Sequence, residues 1–367
     1  MAELVSLHSE KLEEWRYQLQ HCARSADQLA QALELSDEEL EGARWAEREG
    51  FPIAITPYYL SLCDKRDPNC PIRRQVVPRI DERQTAPGDL RDPLGEEAHE
   101  VAPELIQRYP DRALLLVSDR CAVYCRFCTR SRIVGSGAGP RSLERLEPAF
   151  AYLRQHPELK DVIVSGGDPL CMATSRLLRI VERLREIESI ETIRLATRVP
   201  VVLPQRITKE LLDALSPHHP LWLMTHFNHP KELTEEARAA CRRLADAGFP
   251  VMNQTVLLRG VNDHSPTLLQ LFRGLVRERV RPYYLLQMDP VRGSAHLRTP
   301  LATGLGIMAE LQGRLSGIAL PKFIVDTPGG FGKVPLLPDY VVLRADGVTR
   351  LRTPHGVEVD YLDPPGD

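Results

Sequence analysis

The chain has 367 residues, with 47 lysines and arginines against 50 aspartates and glutamates, for a formal net charge of −3. That near balance argues against a nucleic-acid partner or a polybasic membrane surface, and no apolar run approaches the length of a membrane span. Eight cysteines in this length make no disulfide scaffold; with an amphipathic rather than signal-like start, they are expected as thiols in the cytoplasm.

In chain order, residues 6–33 and 35–50 carry apolar positions three and four apart and predict helices. Ser36 is placed to cap the second, with Glu39 closing a capping box. Residues 64–104 are rich in proline and charge and are expected to wrap over the surface. From Arg112 the texture changes. Strands are predicted at 113–118, 161–167, 192–198, 221–227, 250–258 and 282–289. Helices are predicted near 142–156, 174–187, 207–215, 232–247, 265–279 and 301–316. Near-continuous apolar strands separated by helices imply a parallel sheet with right-handed crossovers. Six such units are too few for an eight-unit barrel. The expected fold is therefore α/β, a partial (β/α)6 barrel over 112–320. A helical and wrapping region (1–111) precedes it. A C-terminal segment (321–367) follows and contains a hairpin over 340–354 that turns at Asp346-Gly347.

In such folds functional side chains gather at the carboxyl ends of the strands. The stretch "DRCAVYCRFCTRSR" (119–132) places Cys121, Cys125 and Cys128, spaced C-x3-C-x2-C, just after the first strand. Gly166-Gly167-Asp168 end the second strand, and Arg198, His226 and Asp289 end the third, fourth and sixth. Three thiolates suit a [4Fe–4S] cluster with one iron left for another ligand. The alternatives are a zinc site completed by a distant histidine and three unpaired thiols. Tyr124 and Phe127 are placed to shield such a group from water. Cys63, Cys70, Cys171 and Cys241 have no motif spacing and read as packing residues.

"DTPGGFGKVP" (326–335) is no phosphate-binding loop, because Thr327 and Val334 stand where that pattern needs Gly and Ser or Thr. Lys333 is instead a lysine presented on a glycine turn. It is either solvated there or a Schiff-base nucleophile for an aldehyde such as pyridoxal phosphate.

The cysteine triad after the first strand, followed by "VSGGDPL", resembles the radical S-adenosylmethionine enzymes. The blocks "AITPYYLSL", "RYPDRALLLVSDRC", "YCRFCTR", "RVPVVLPQRIT", "THFNHPKELT", "GVNDH", "HLRTP" and "DTPGGFGK" resemble the lysine 2,3-aminomutase family from about Trp15 to about Pro354. The resemblance implies a radical isomerase that uses a [4Fe–4S] cluster, S-adenosylmethionine and pyridoxal phosphate. It assigns Cys121, Cys125 and Cys128 to the cluster and Lys333 to covalent attachment of pyridoxal phosphate. Arg108, Arg112 and Gln254 fall near that cofactor, and Gly166, Gly167 and His226 near S-adenosylmethionine. Arg130 matches the partner of the substrate carboxylate. Asp289 and Asp326 match the two acids that grip a distal ammonium, positions not both acidic in the glutamate-using relatives.

Longer members of the family carry C-terminal cysteines that bind zinc together with a cysteine after "GVND". Here that position is His264 and no cysteine follows Cys241, so no structural zinc is expected. An oligomer of like subunits would have to form without it. The expected partners are a small amino acid and an electron donor such as flavodoxin or ferredoxin. Two rival substrates stand beside free lysine: arginine or another basic amino acid, and a lysine destined for elongation factor P. A non-catalytic scaffold that has kept the fold is the rival outside enzymes.

Overall fold

The computed structural model describes residues 14–345, 347–362 and 364. Four helices come first: α1 (Trp15–Gln20), α2 (Ala26–Ala32), α3 (Asp37–Arg48) and α4 (Pro57–Ser61). Ser25, Ser36 and Thr56 each cap one of the last three by accepting a backbone N–H three residues on. The expected Ser36–Glu39 capping box is formed, and residues 6–13 of the first predicted helix lie outside the described residues. The proline-rich stretch 64–104 wraps in short 3-10 turns. It also contributes strand β1 (Glu100–Ala102), which pairs antiparallel with β2 (Leu105–Tyr109).

The centre is one sheet. Strands β3 (Arg112–Ser118), β4 (Asp161–Gly166), β5 (Thr192–Ala196), β6 (Leu221–Thr225), β7 (Val251–Leu257), β8 (Val280–Gln287) and β9 (Lys322–Thr327) run parallel and stand side by side in chain order. The extended run ending near Asp326 is thus a seventh parallel strand, paired to β8. Strand β2 continues the sheet antiparallel at one margin and β10 (Gly332–Leu336) at the other. The crossovers are α5 (Leu143–Gln155), α6 (Thr174–Arg185), α8 (Lys209–Leu215), α9 (Glu235–Asp246), α10 (Ser265–Arg277) and α11 (Leu301–Leu311), with a short α7 (Val199–Val202) before α8. Each buries an apolar stripe on the sheet. On α6 the stripe is Leu177, Ile180, Val181 and Leu184, against Val162, Val164, Ile193 and Leu195 of the strands, all in one core. Full burial of each such side chain contributes about 1.5–3 kcal/mol over leaving it in water.

The backbone ladder does not close, since β1 and β10 are its two ends. Side chains join the margins instead. Arg108 on β2 donates to Asp326 on β9 at 2.6 Å and to the Gly330 carbonyl at 3.2 Å. The Lys333 amide on β10 donates to the Tyr109 hydroxyl of β2 at 3.0 Å. Beyond the sheet, β11 (Val341–Ala345), β12 (Val348–Arg352) and β13 (Glu358–Leu362) form a separate antiparallel sheet. The expected hairpin therefore has a third strand. Asp346, at its predicted turn, lies outside the described residues. Among the described residues no helix is long and apolar enough to cross a membrane.

Candidate active site

The cysteine loop leaves the end of β3 and is pinned by the N-terminal region. The Tyr124 amide donates to the Ala54 carbonyl and the Arg126 amide to the Gln75 carbonyl, both at 2.9 Å. The Arg126 guanidinium is buried against Glu82 and the Phe51 and Pro52 carbonyls. Tyr124 and Phe127 are buried. Burial pushes the Cys121 thiol well above its ordinary value and Cys128 up to about 12, and the neighbouring thiols add to both shifts. Such thiols ionise only against a nearby positive charge. Among the described residues no group of three or more His, Cys, Asp and Glu side chains is placed to hold a single metal ion.

The glycine turn after β4 packs directly on this loop. Gly166 adopts φ +111°, and a Cβ there would lie 2.4 Å from the Ser118 carbonyl oxygen. A Cβ on Gly167 would lie 2.5 Å from the Arg120 carbonyl oxygen. The Gly167 and Asp168 amides donate to the Ser118 and Arg120 carbonyls at 2.6 and 2.8 Å. Glycine is therefore required by close backbone approach as well as by the turn. Asp168, expected only as the end of the second strand, accepts from the Thr197 hydroxyl and the Arg198 amide, both at 2.7 Å.

Arg198 is the residue whose weight the sequence does not convey. Its Nη1 donates to Cys125 Sγ at 2.7 Å, and its Nη2 meets Gln75 at 2.5 Å, Glu232 at 2.8 Å and the Tyr59 hydroxyl at 3.1 Å. A fixed cation thus touches one of the three sulfurs. Burial, and then the Arg198 charge, push His226 down to about 3, so its ring is neutral. His226 lies edge-on to Phe127, 5.6 Å between ring centres. Its Nε2 is buried without a hydrogen-bond partner among the described residues, as are Thr225 Oγ1, Gln287 Oε1 and Thr299 Oγ1. Unsatisfied buried polar atoms at the carboxyl ends of β6 and β8 are what a polar ligand leaves for itself to fill.

Lys333 is not on the glycine turn but within β10, directly opposite Asp326 of β9 in the antiparallel register. The turn before it uses Gly329, Gly330 and Gly332 at φ +83°, +85° and +103°. Lys333 Nζ donates to Asp326 Oδ2, and Arg108 donates to Asp326 Oδ1. Burial pushes the Asp326 carboxyl up, but the Arg108 hydrogen bond and the Lys333 charge outweigh it and hold the group below the usual carboxylate range. Asp289, just past β8, feels the Lys333 and Arg108 charges without a hydrogen bond to either, and they do not offset its surroundings. Burial, and then the Asp326 charge, raise it to about 7. Lys333, Asp326, Asp289 and Arg108 thus form one electrostatic group.

Arg112 lies 3.6 Å over the ring of Tyr109, whose hydroxyl receives the Lys333 amide, so it stands one ring away from Lys333. Gln254 is half-buried on β7 in register with Tyr284, and its side chain makes no hydrogen bond among the described residues. Arg130 binds Glu96 through Nε at 2.9 Å and Nη2 at 2.7 Å, and its Nη1 reaches Ser165 Oγ, at the end of β4, at 3.3 Å. Nothing in the sequence marked Glu96. His296 is half-buried, with its Nδ1 buried and unpartnered among the described residues.

Two family models match this chain: the radical SAM superfamily over residues 115–272 and lysine-2,3-aminomutase over residues 308–366. The L-lysine 2,3-aminomutase of Fusobacterium nucleatum is 46% identical over 97% of this chain and 83% of its own length. The chain belongs to the lysine 2,3-aminomutase family. The L-lysine 2,3-aminomutase of Clostridium subterminale is also 46% identical, over 96% of this chain and 84% of that protein. The glutamate 2,3-aminomutase of Clostridioides difficile is 39% identical over 99% and 86%. Identity therefore spans relatives named for a basic and for an acidic amino acid, and the site must decide between them. A radical SAM methyltransferase from Sphaerobacter thermophilus shares 24% identity at a TM-score of 0.45, over 60% of this chain and 68% of that one.

Membership of the aminomutase family brings a [4Fe–4S] cluster, S-adenosylmethionine and pyridoxal phosphate, and the residues present fit each. Three half-buried thiols on one loop, beside a fixed arginine, are the donor set of a cluster with one open iron. The unpartnered polar atoms at the ends of β6 and β8 fit S-adenosylmethionine. A half-buried lysine backed by an ionised aspartate and two arginines fits an aldehyde that carries a phosphate.

Proposed function

We propose that the protein is a lysine 2,3-aminomutase, which moves the amino group of L-lysine from carbon 2 to carbon 3 to give β-lysine. The substrate choice rests on the two carboxylates past β8 and at the end of β9. Asp289 and Asp326 lie close enough that one raises the other's affinity for a proton. Two acids in one pocket call for a cation between them, and the distal ammonium of lysine is one. The distal carboxylate of glutamate would meet two like charges there. Strands β3 to β8 with their crossovers are read as a partial (β/α)6 barrel over 112–320, between the 1–111 region and a 321–367 segment that carries Lys333.

When bound, the cluster and S-adenosylmethionine would supply radical chemistry and pyridoxal phosphate a π-system conjugated to the substrate nitrogen. The chain's own residues do the holding. Cys121, Cys125 and Cys128 take the cluster, with Arg198 balancing charge at Cys125. The Gly166-Gly167 backbone and neutral His226 would help hold S-adenosylmethionine. Lys333, Arg108, Arg112 and Gln254 take pyridoxal phosphate. Arg130 takes the substrate's α-carboxylate through a planar fork, and the two aspartates take its far end. A substrate stretched between opposite charges has few orientations left, which is the main service a protein gives a radical migration. The electron comes from a donor such as flavodoxin or ferredoxin.

The test is an anaerobic assay with lysine, arginine, glutamate and norleucine, reading the β-amino product by mass and NMR. Lysine should be turned over fastest. Norleucine, which lacks the ammonium and leaves both acids unpaired, should be poor. Comparable turnover of norleucine or glutamate would overturn the reading.

A further inference from the structure

Beyond the groups already placed, one buried acid stands where three parts of the site meet: the loop after Asp289, the Lys333 turn and the cysteine loop. Glu96 is 2% exposed and lies on a strap, residues 89–99, that touches each of them. At one end the strap meets the loop after Asp289: the Leu90 amide donates to the Pro290 carbonyl at 2.8 Å, and the Arg292 amide to the Leu90 carbonyl at 3.1 Å. In its middle it meets the Lys333 turn. The Gly329 amide donates to the Pro93 carbonyl at 3.1 Å, and a Cβ on Gly95 would lie 2.8 Å from the Gly329 carbonyl oxygen. Glu96 then reaches the cysteine loop. Its Oε1 accepts from Arg130 Nε and Nη2, and its Oε2 accepts from Arg132 Nη2 at 3.0 Å. Burial pushes the Glu96 carboxyl up, but Arg130 and Arg132 more than reverse this, so it stays ionised.

The way Glu96 binds matters. A guanidinium has five N–H donors, and a carboxylate can take it along the side, through Nε and one Nη, or at the end, through both Nη atoms. Glu96 takes the side. The second N–H of Nη2 and both of Nη1 remain, and Nη1 already leans on Ser165 at the carboxyl end of β4, where the site opens. Arg130 itself is partly exposed, whereas the acid behind it is not.

We propose that Glu96 is a positioning residue for substrate: it fixes the Arg130 guanidinium by its side edge and so presents the end edge to the α-carboxylate of the amino acid. The inference rests on the reading of Arg130 as the carboxylate partner. Because the strap also holds the Asp289 loop and the Lys333 turn, it sets the span between the two charged ends of the substrate.

The experiment compares equilibrium binding of L-lysine and of 1,5-diaminopentane, which is lysine without its carboxylate, to cofactor-loaded enzyme under anaerobic calorimetry. Glu96→Gln should weaken lysine binding by roughly ten- to a hundredfold and 1,5-diaminopentane by less than about threefold. KM for lysine should rise more than kcat falls. Glu96→Asp, which keeps the charge but draws it back by one methylene, should show the same selectivity in weaker form, and it decides the matter if Glu96→Gln fails to fold. In an Arg130→Met background, Glu96→Gln should add less than about threefold. Equal weakening of both ligands, or an effect that persists without Arg130, would mean that Glu96 only supports the fold. If Arg130→Met itself left discrimination between the two ligands intact, the reading of Arg130 would have failed, and the role of Glu96 with it.

Discussion

Replacing Asp289 by asparagine gives the sharpest test of the electrostatics, because shape is kept and one titration is removed. The parent carboxyl sits at about 7, raised by burial and then by Asp326. Against the ordinary 3.8, each unit is worth ~1.36 kcal/mol, so ionising Asp289 costs on the order of 2–4 kcal/mol once its partial exposure is allowed for. The sign follows from proton counting. Between pH 3.8 and 7 the folded chain holds a proton on Asp289 that the unfolded chain has lost, so this group makes stability fall as pH rises through that window. Asp289→Asn should therefore match the parent in stability near pH 4 and exceed it at pH 8. Substrate binding runs the other way. A distal ammonium prefers the ionised form, so lysine affinity of the parent should drop up to tenfold per pH unit below about 7, and the variant should show no such slope. Denaturant titrations of the substrate-free enzyme at pH 5.5 and 8, with calorimetric lysine binding over the same range, measure both. A variant less stable than the parent at pH 8, or a parent whose lysine affinity is flat from pH 5.5 to 8, would refute the reasoning.

Cys125→Ala should lose iron and sulfide and all cleavage of S-adenosylmethionine, and would also strand the Arg198 guanidinium that donates to that sulfur; a full cluster content would contradict the assignment. Lys333→Ala should lose the visible absorbance of bound pyridoxal phosphate while keeping its iron, and borohydride reduction of the parent followed by peptide mapping should put the pyridoxyl group on Lys333 and on no other lysine. Gly167→Ala forces a methyl to 2.5 Å from the Arg120 carbonyl oxygen, so it should cost about 1–3 kcal/mol in denaturant unfolding and reduce cluster loading; unchanged stability would show that the glycine turn and the cysteine loop do not press on each other as described.

The six strands and their crossovers were legible because each strand is a short, mainly apolar run bounded by helices with a clear apolar stripe. The spacing of the cysteines marked their loop just after the first strand, where the structure has it. Strand β10 was not. "GKVPL" opens on a glycine and contains Pro335, a composition that reads as a turn and is tolerated only because β10 is the margin of the sheet. Glu96 sits 34 residues from Arg130 in the chain, among prolines and other acids, and no periodicity joins them. Arg198 draws partners from positions 59, 75, 125 and 232, a convergence that exists only once the chain has folded. Local pattern gives elements and loops, while the pairing of buried charges is a property of the folded chain.

The placement of Lys333 across from Asp326 puts a constraint on heredity as well as on chemistry. Strands β9 and β10 are joined by residues 328–331, and side chains alternate faces along each strand. A slip of one residue between them would turn Lys333 to the far side of the ribbon, away from its aspartate, while every letter of the motif survived. Substitutions in that connection that keep its glycine conformations should drift freely, whereas an insertion or deletion that shifts the pairing should be purged. A homologue that has gained or lost a residue there is better suspected of a new chemistry than one that has changed several.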